Sequence, residues 1–312
     1  MSMAGPPRVV VLVGPTAVGK TALSLRLARA FDGEVVSADS RQIYRRMDIG
    51  TAKATAHEQA LAPHHLLDVA EPDEQLTLAQ YKALADAAIR AIWARGGLPL
   101  LVGGTGLYVR AVLEGWTVPE VPPNEALRTS LYALAEREGH ESLHRALAAV
   151  DPQAAQGIDA RNVRRVVRAL EVYHETGAPI SQLQRKQPPD YRILRIGLTL
   201  PRPALYARID ARVDAMLADG LVEEVRGLLA QGYSLDLPAM SGLGYRQIAQ
   251  HLAGEIGLQE ATALIKRHTR RFVRQQYNWF RLDDPAIHWL DAAEGDPAPA
   301  AMALVRAFLA AD

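Results

Sequence analysis

Val9-Val10-Val11-Leu12-Val13-Gly14-Pro15-Thr16-Ala17-Val18-Gly19-Lys20-Thr21 is the stretch on which the fold turns. Five consecutive apolar residues read as a strand buried on both faces. Thr21 to Phe31 is amphipathic at helical spacing. Between them lies a complete G-x-x-x-x-G-K-T sequence, the strand–loop–helix phosphate-binding motif. Its glycines allow a concave turn of backbone N–H donors, and the following helix adds positive potential at its N-terminus. Lys20 adds a point charge that can reach outer phosphates, and the Thr21 hydroxyl is a hard oxygen ligand of the kind Mg²⁺ takes. Gly14 through Thr21 are therefore candidate anion-binding residues. The loop does not specify which phosphate compound it holds.

The first third of the chain continues the alternation. Glu34–Ala38 reads as a second strand ending at Asp39, and His65–Val69 as a short one. Leu78–Arg95 reads as a helix stopped by Gly96-Gly97. Leu98–Val102 reads as a strand ending in Gly103-Gly104-Thr105-Gly106. Apolar strands alternating with helices predict an α/β fold of the P-loop NTPase type, a parallel sheet flanked by helices. In such sheets ligands collect at the carboxyl ends of strands. Three of those ends carry polar or Gly-rich segments: the P-loop, Asp39-Ser40-Arg41-Gln42, and Gly103–Gly106.

Pro119, Pro122 and Pro123 mark a change. Helical patterns follow over Glu125–Glu138, Leu143–Val150 and Asn162–His174, and predict a helical insertion at 119–191. Leu194–Leu200 returns the chain to the sheet, so 1–118 and 192–312 form the core. Helices are predicted from Ala204 to Ala230 and from Tyr245 to Arg281, and the Pro-containing tail after Asp283 reads as peripheral. The 312 residues are 49% hydrophobic and 22% charged, enough apolar material for a core. Basic and acidic residues number 35 each, so any nucleic-acid affinity must come from local clusters. Cysteine is absent, which excludes disulfides and thiolate chemistry. No signal-peptide pattern or membrane-length apolar run is present, so the expectation is a cytoplasmic protein.

Two arginine clusters stand out. Arg161, Arg164, Arg165 and Arg168 share one helical face, opposite Val163, Val166, Val167 and Leu170. Arg267, Arg270, Arg271 and Arg274 repeat the spacing, with no acid between Ala261 and Leu282. Ile265, Phe272 and Trp279 recur on another face. Like charges at i,i+4 repel, and a polyanion would relieve the strain. The stripes favour RNA or another large anion, with Tyr277, Trp279 and Phe280 as candidate stacking groups. A kinase would place an acid for Mg²⁺ at a strand end, at Asp39 or Asp68. The Gly103–Gly106 loop instead suits a second phosphate-binding turn, and two such loops could hold a diphosphate as leaving group. The pattern alone leaves the kinase and the group transferase both open.

The chain closely resembles the bacterial tRNA dimethylallyltransferase family, also called tRNA isopentenyltransferases. The resemblance rests on Gly14–Thr21, the run from Asp39 to Lys53, His64–Asp68, Gly103–Tyr108, Arg164–Val172, Gly244–Gln247 and Arg274–Phe280. It implies transfer of a dimethylallyl group from dimethylallyl diphosphate to N6 of adenosine 37, beside the anticodon of certain tRNAs. Asp39 is then expected as general base, with Lys20 and Thr105 stabilising the departing diphosphate together with Gly14, Pro15, Thr16, Ala17, Val18, Gly19 and Thr21, and with Mg²⁺ on Thr21. The tRNA is expected to meet Asp39, Ser40, Arg41, Gln42, Val163, Arg164, Arg165, Val166, Val167, Arg168, Gly242, Leu243, Gly244, Tyr245, Arg246, Gln247, Arg267, Arg270, Arg271, Arg274 and Gln275. The partners implied are tRNA and dimethylallyl diphosphate, with no membrane, and the working unit is expected to be a monomer.

Overall fold

A strand as apolar as Val9–Val13 has to be interior, and the computed structural model places it there. The structure describes residues 5–117 and 119–311. Among the described residues eight strands are formed: β1 (Arg8–Val13), β2 (Gly33–Ser37), β3 (His64–His65), β4 (Leu98–Val102), β5 (Trp116–Thr117), β6 (Arg185–Lys186), β7 (Arg192–Thr199) and β8 (His288–Asp291). Six of them make one sheet in the order β3-β2-β4-β1-β7-β8. Every pairing in it is parallel. β1 is central, with Val11 opposite Leu101 on one side and Arg195 on the other. The sheet core, Val10, Leu12, Leu100, Ile196 and Leu198 among others, is closed by the Lys20–Phe31 helix and by a C-terminal helix at Ala298–Ala310.

By its internal contacts the chain divides into two compact units. One runs to Arg110 and resumes at Asp190; the other is Ala111–Pro189. The second is helical, with Leu143, Leu147, Val166, Val167 and Val172 buried at its centre and a short antiparallel pair of β5 and β6. Its Glu171, fully buried, accepts from Arg128 at 2.8 Å, Arg168 at 2.6 Å and the Asn124 backbone at 2.8 Å. Three charge-assisted donors make that burial tolerable.

Four expectations are corrected. The strand at His65–Val69 shrinks to His64–His65, because Leu66 (φ 65°) and Asp68 (φ 55°) turn left-handed and leave the ladder. The Ala204–Ala230 helix is two, Arg202–Ala218 and Leu221–Ala230, broken at Gly220 (φ 103°). The Tyr245–Arg281 helix is likewise two, Tyr245–Leu252 and Leu258–Gln276, broken around Gly254 (φ 78°). The tail is not peripheral. It supplies edge strand β8 and the last helix, whose Ala298, Ala301 and Val305 are fully buried. Among the described residues no helix is long and apolar enough to cross a membrane.

Candidate active site at the carboxyl ends of the central strands

The P-loop leaves β1 at Gly14. There φ is 143°, and a Cβ would lie 2.4 Å from the Leu198 carbonyl oxygen of β7, so only glycine fits. Gly19, at φ 111°, opens the Lys20–Phe31 helix with no side-chain cap, which leaves the first N–H groups of the helix for a ligand. Lys20 folds back over the loop and donates to the carbonyls of Gly14 at 2.9 Å and Pro15 at 2.8 Å. Desolvation lowers its pKa to about 8; the Asp39 carboxylate works against this and the Arg212 guanidinium adds to it.

A second loop faces the first. At Gly103 an added Cβ would lie 2.1 Å from the Ala38 carbonyl oxygen, so the chain leaving β4 lies close against the chain leaving its neighbour β2. The Thr105 backbone N–H donates to Ala38 at 3.2 Å, and Thr105 Oγ1 accepts from the Ser40 backbone at 3.1 Å. Asp39 is thereby held between the two loops, with Oδ1 accepting from the Arg41 backbone at 2.9 Å. Behind it Tyr81 and Tyr108 stack with centroids 3.7 Å apart, and the Tyr81 hydroxyl donates to Ser37 at 3.1 Å.

Sequence reasoning missed the cationic wall opposite. Arg208 and Arg212 lie one turn apart on the Arg202–Ala218 helix. Arg208 donates to the Val18 carbonyl at 3.1 Å. Arg212 has no hydrogen-bond or ion-pair partner among the described residues; desolvation pulls its pKa down and Asp39 opposes the shift. Both arginines sit in a helix of mixed charges, where no periodic signal marks them. Two cavities meet at this point. The larger, about 780 Å³, is lined by Gly19, Lys20, Thr21, Asp39, Arg208 and Arg212. The smaller, about 250 Å³, is lined by Ser40, Thr105, Gly242–Tyr245, Phe272 and Gln276, and shares Thr16, Asp39, Thr51, Arg212 and Met216 with the first.

Other residues picked out by sequence are placed differently. The Gln42 amide, expected to meet the tRNA, is engaged within the protein: it accepts from Ser37 at 3.2 Å and donates to Ala52 at 3.0 Å. Arg41 holds the turn at Pro238, donating to its carbonyl at 2.6 Å. Asp68, a candidate metal ligand, pairs at 2.6 Å with buried Lys53, which also meets Asp48 at 2.5 Å. Tyr245 is buried and donates to Glu224 at 2.7 Å, while Gln247 caps its own helix at Gly244. Of Gly242, Leu243, Gly244, Tyr245, Arg246 and Gln247, only Arg246 is exposed.

The stripes divide as well. Val166 and Val167 are core residues rather than part of an RNA-facing surface, and Val163 is half-buried. Arg161 pairs with Asp159, and Arg168 with Glu171, leaving Arg164 and Arg165 exposed and without an ion pair among the described residues. Arg270 makes a two-pronged pair with Asp210 on the neighbouring helix and lies 5.5 Å from the Tyr206 ring centre. Arg267, Arg271, Arg274 and Gln275 are exposed. Phe272 is 39% exposed, so the seven-residue apolar repeat with Ile265 and Trp279 is not one buried face.

Residues 42–283 match the IPP transferase family, and residues 7–68 match the isopentenyl transferase family. The chain is 57% identical over 298 residues to a tRNA dimethylallyltransferase of Roseiflexus castenholzii, covering 96% of this chain and 97% of the relative. It is 50% identical over 302 residues to one from Dehalococcoides mccartyi, covering 97% and 93%. Among solved structures it is similar to the full-length tRNA isopentenylpyrophosphate transferase of Bacillus halodurans, at 41% identity and a TM-score of 0.71, covering 97% of this chain and 96% of that one. A eukaryotic dimethylallyltransferase solved acting on tRNA matches at 25% identity and a TM-score of 0.78, covering 97% of this chain and 79% of that chain.

Proposed function

The chain belongs to the IPP transferase family, and we propose that it moves a dimethylallyl group from dimethylallyl diphosphate to N6 of adenosine 37 in tRNA, with Asp39 as general base. The kinase alternative left open by the sequence ends with that membership. The observation that carries the assignment of roles is the junction of the two cavities at Asp39 and Arg212. The diphosphate enters the larger cavity, where P-loop N–H groups, Lys20, Arg208 and Arg212 are gathered. The adenine enters the smaller one past Ser40 and Phe272. The allylic carbon is presented at the junction.

The exocyclic amine of adenine is a weak nucleophile because its lone pair is delocalised into the ring. As N6 bonds to the allylic carbon, the carbon–oxygen bond breaks, pyrophosphate leaves, and the N6 proton passes to Asp39. Charge grows on the departing oxygen, and the positively charged wall and the two loops, Thr105 included, stabilise it. Placing the adenine outside its stack costs a few kcal/mol, which backbone contacts offset. Of the arginines picked out by sequence, Arg164, Arg165, Arg246, Arg267, Arg271 and Arg274 are exposed and available for RNA phosphates.

The residues present fit a Mg²⁺ ion. Thr21 lines the larger cavity, and no cluster of three acidic or histidine ligands exists among the described residues. An ion here would be held by Thr21, diphosphate oxygens and water, the oxygen-rich, partly hydrated shell that Mg²⁺ favours. Bound, it neutralises charge on the diphosphate. Every residue assigned a role here comes from one chain, which fits a monomeric enzyme, and a cysteine-free chain working on tRNA fits the cytoplasm. Labelled dimethylallyl diphosphate with unmodified tRNA, set beside AMP and ATP, tests the reading. Label should enter tRNA and should be lost when adenosine 37 is replaced by guanosine; label in AMP, or phosphate transfer from ATP, overturns it.

A further inference from the structure

We infer that Gln276 is a positioning residue, one that sets the spacing between the loop holding the leaving group and the loop holding the base. It is the last residue of the Leu258–Gln276 helix and is only 5% exposed. Its Oε1 accepts from the Thr16 backbone N–H of the P-loop at 2.9 Å. Its Nε2 donates to the Gly104 carbonyl of the second loop at 3.0 Å. One loop offers a donor and the other an acceptor, so the partners themselves fix the orientation of the amide. Only an uncharged amide satisfies both ends at once. The fit is close: a Cβ on Gly104 would lie 2.3 Å from the Gln276 nitrogen.

The amide is one link in a longer path. Gly104 precedes Thr105, whose Oγ1 accepts from the Ser40 backbone, and Ser40 follows Asp39. Thr16 and Asp39 both wall the two cavities, and Gln276 walls the smaller. The displacement needs N6, the allylic carbon and the leaving oxygen in line, and small misplacements are costly in such a step. Gln276 is assigned no contact with a reacting atom and no proton; it fixes the distance between Thr16 on the leaving-group side and Thr105 on the side of Asp39. The sequence places Gln276 in the Arg274–Phe280 block but gives no cue to this role, because one glutamine in a Gln275-Gln276 pair has no periodicity and its partners lie 260 and 172 residues away.

The inference rests on the functional reading above, and the test separates the two. If the unaltered protein fails to alkylate tRNA, the functional reading falls; if it alkylates and the variants match it, the present inference falls. Gln276→Met keeps the length and removes both hydrogen bonds. Gln276→Glu keeps the acceptor for Thr16 and loses the donor to Gly104, and it carries the same test if the methionine variant does not fold. The expected result is a kcat lowered roughly tenfold or more and a raised KM for the diphosphate, with tRNA affinity within about twofold of the unaltered protein. Combined with Thr105→Ala, the loss should fall short of the product of the two single losses, because both act through one loop. Unchanged kcat in folded variants, a strictly multiplicative loss with Thr105→Ala, or a loss confined to tRNA affinity overturns it.

Discussion

Lys20 is a cation held at a desolvation cost, and that has a measurable signature. Its pKa sits at about 8 because the site is desolvated, with Asp39 only partly restoring the charge. Bound diphosphate favours the protonated form and so must raise that value. The Lys20 contribution to affinity is then flat below about pH 8, where the amine is already charged, and falls as the pH rises above it, by at most about tenfold per unit for one linked proton. Calorimetry in buffers of different ionisation heat should show proton uptake on binding above about pH 8. Lys20→Arg, charged throughout, should abolish the uptake; an unchanged pH profile in that variant would assign the linkage to another group. Asp39 makes the complementary prediction. Asp39→Asn is nearly isosteric and can still accept from the Arg41 backbone. Both substrates should bind, while the single-turnover rate drops roughly 10²–10⁴-fold, the usual loss for a general base. Near-normal rapid-quench rates would remove Asp39 from the proton transfer.

At the scale of the element, the Leu258–Gln276 helix shows what a stripe of one charge does and does not mean. Arg270 is neutralised by Asp210 and lies on Tyr206, while Arg267, Arg271 and Arg274 are exposed and have no ion-pair partner among the described residues. Arg267→Ala, Arg271→Ala and Arg274→Ala should each weaken tRNA binding and flatten its salt dependence, by about one unit of slope at most. Arg270→Ala should instead lower the melting temperature and leave the slope alone, since it leaves Asp210 without its partner. Binding isotherms over a range of salt, read beside thermal unfolding, separate the two; the same response from all four would refute the division. The sequence displayed the spacing of these arginines but not the acid facing one of them, which lies 60 positions earlier on another helix. The P-loop was legible for the opposite reason, since its glycine dihedrals and its helix start all lie within eight residues. Asp39 and Thr105 were legible as polar residues at strand ends. Arg208, Arg212 and Gln276 were not, because their roles exist only through tertiary contacts with Val18, the two cavities, Thr16 and Gly104. Tyr245 and Gln247 belong to a matching motif, yet burial turns their side chains to Glu224 and to a helix cap.

At the scale of the whole molecule, the last thirty residues brace the phosphate site from behind. β8 pairs with Ile196–Thr199 of β7, and Gly14 rests against the Leu198 carbonyl oxygen of that strand. Trp289 of β8 covers Gly197 so closely that a Cβ there would lie 2.5 Å from its ring. The final helix packs Ala298, Ala301 and Val305 into the sheet core with full burial. Its carboxyl end is fastened by two arginines from the sheet, Arg8 donating to Leu309 and Arg192 donating to Ala311 at 3.0 Å. Cations at a helix C-terminus satisfy carbonyls that the helix cannot. Removing everything after Asp284 should uncover the β7 edge, an unpaired strand ready to associate with other chains, and loosen the strand under Gly14. The truncated protein should therefore aggregate and lose diphosphate binding, although no residue assigned to chemistry is deleted. A gentler test avoids aggregation. Val305→Ala removes two buried carbons and should cost about 2 kcal/mol by denaturant titration, while kcat measured well below the unfolding transition stays unchanged. A truncated chain that stays monomeric and binds diphosphate normally would show that the sheet holds Gly14 in place without its last strand and helix.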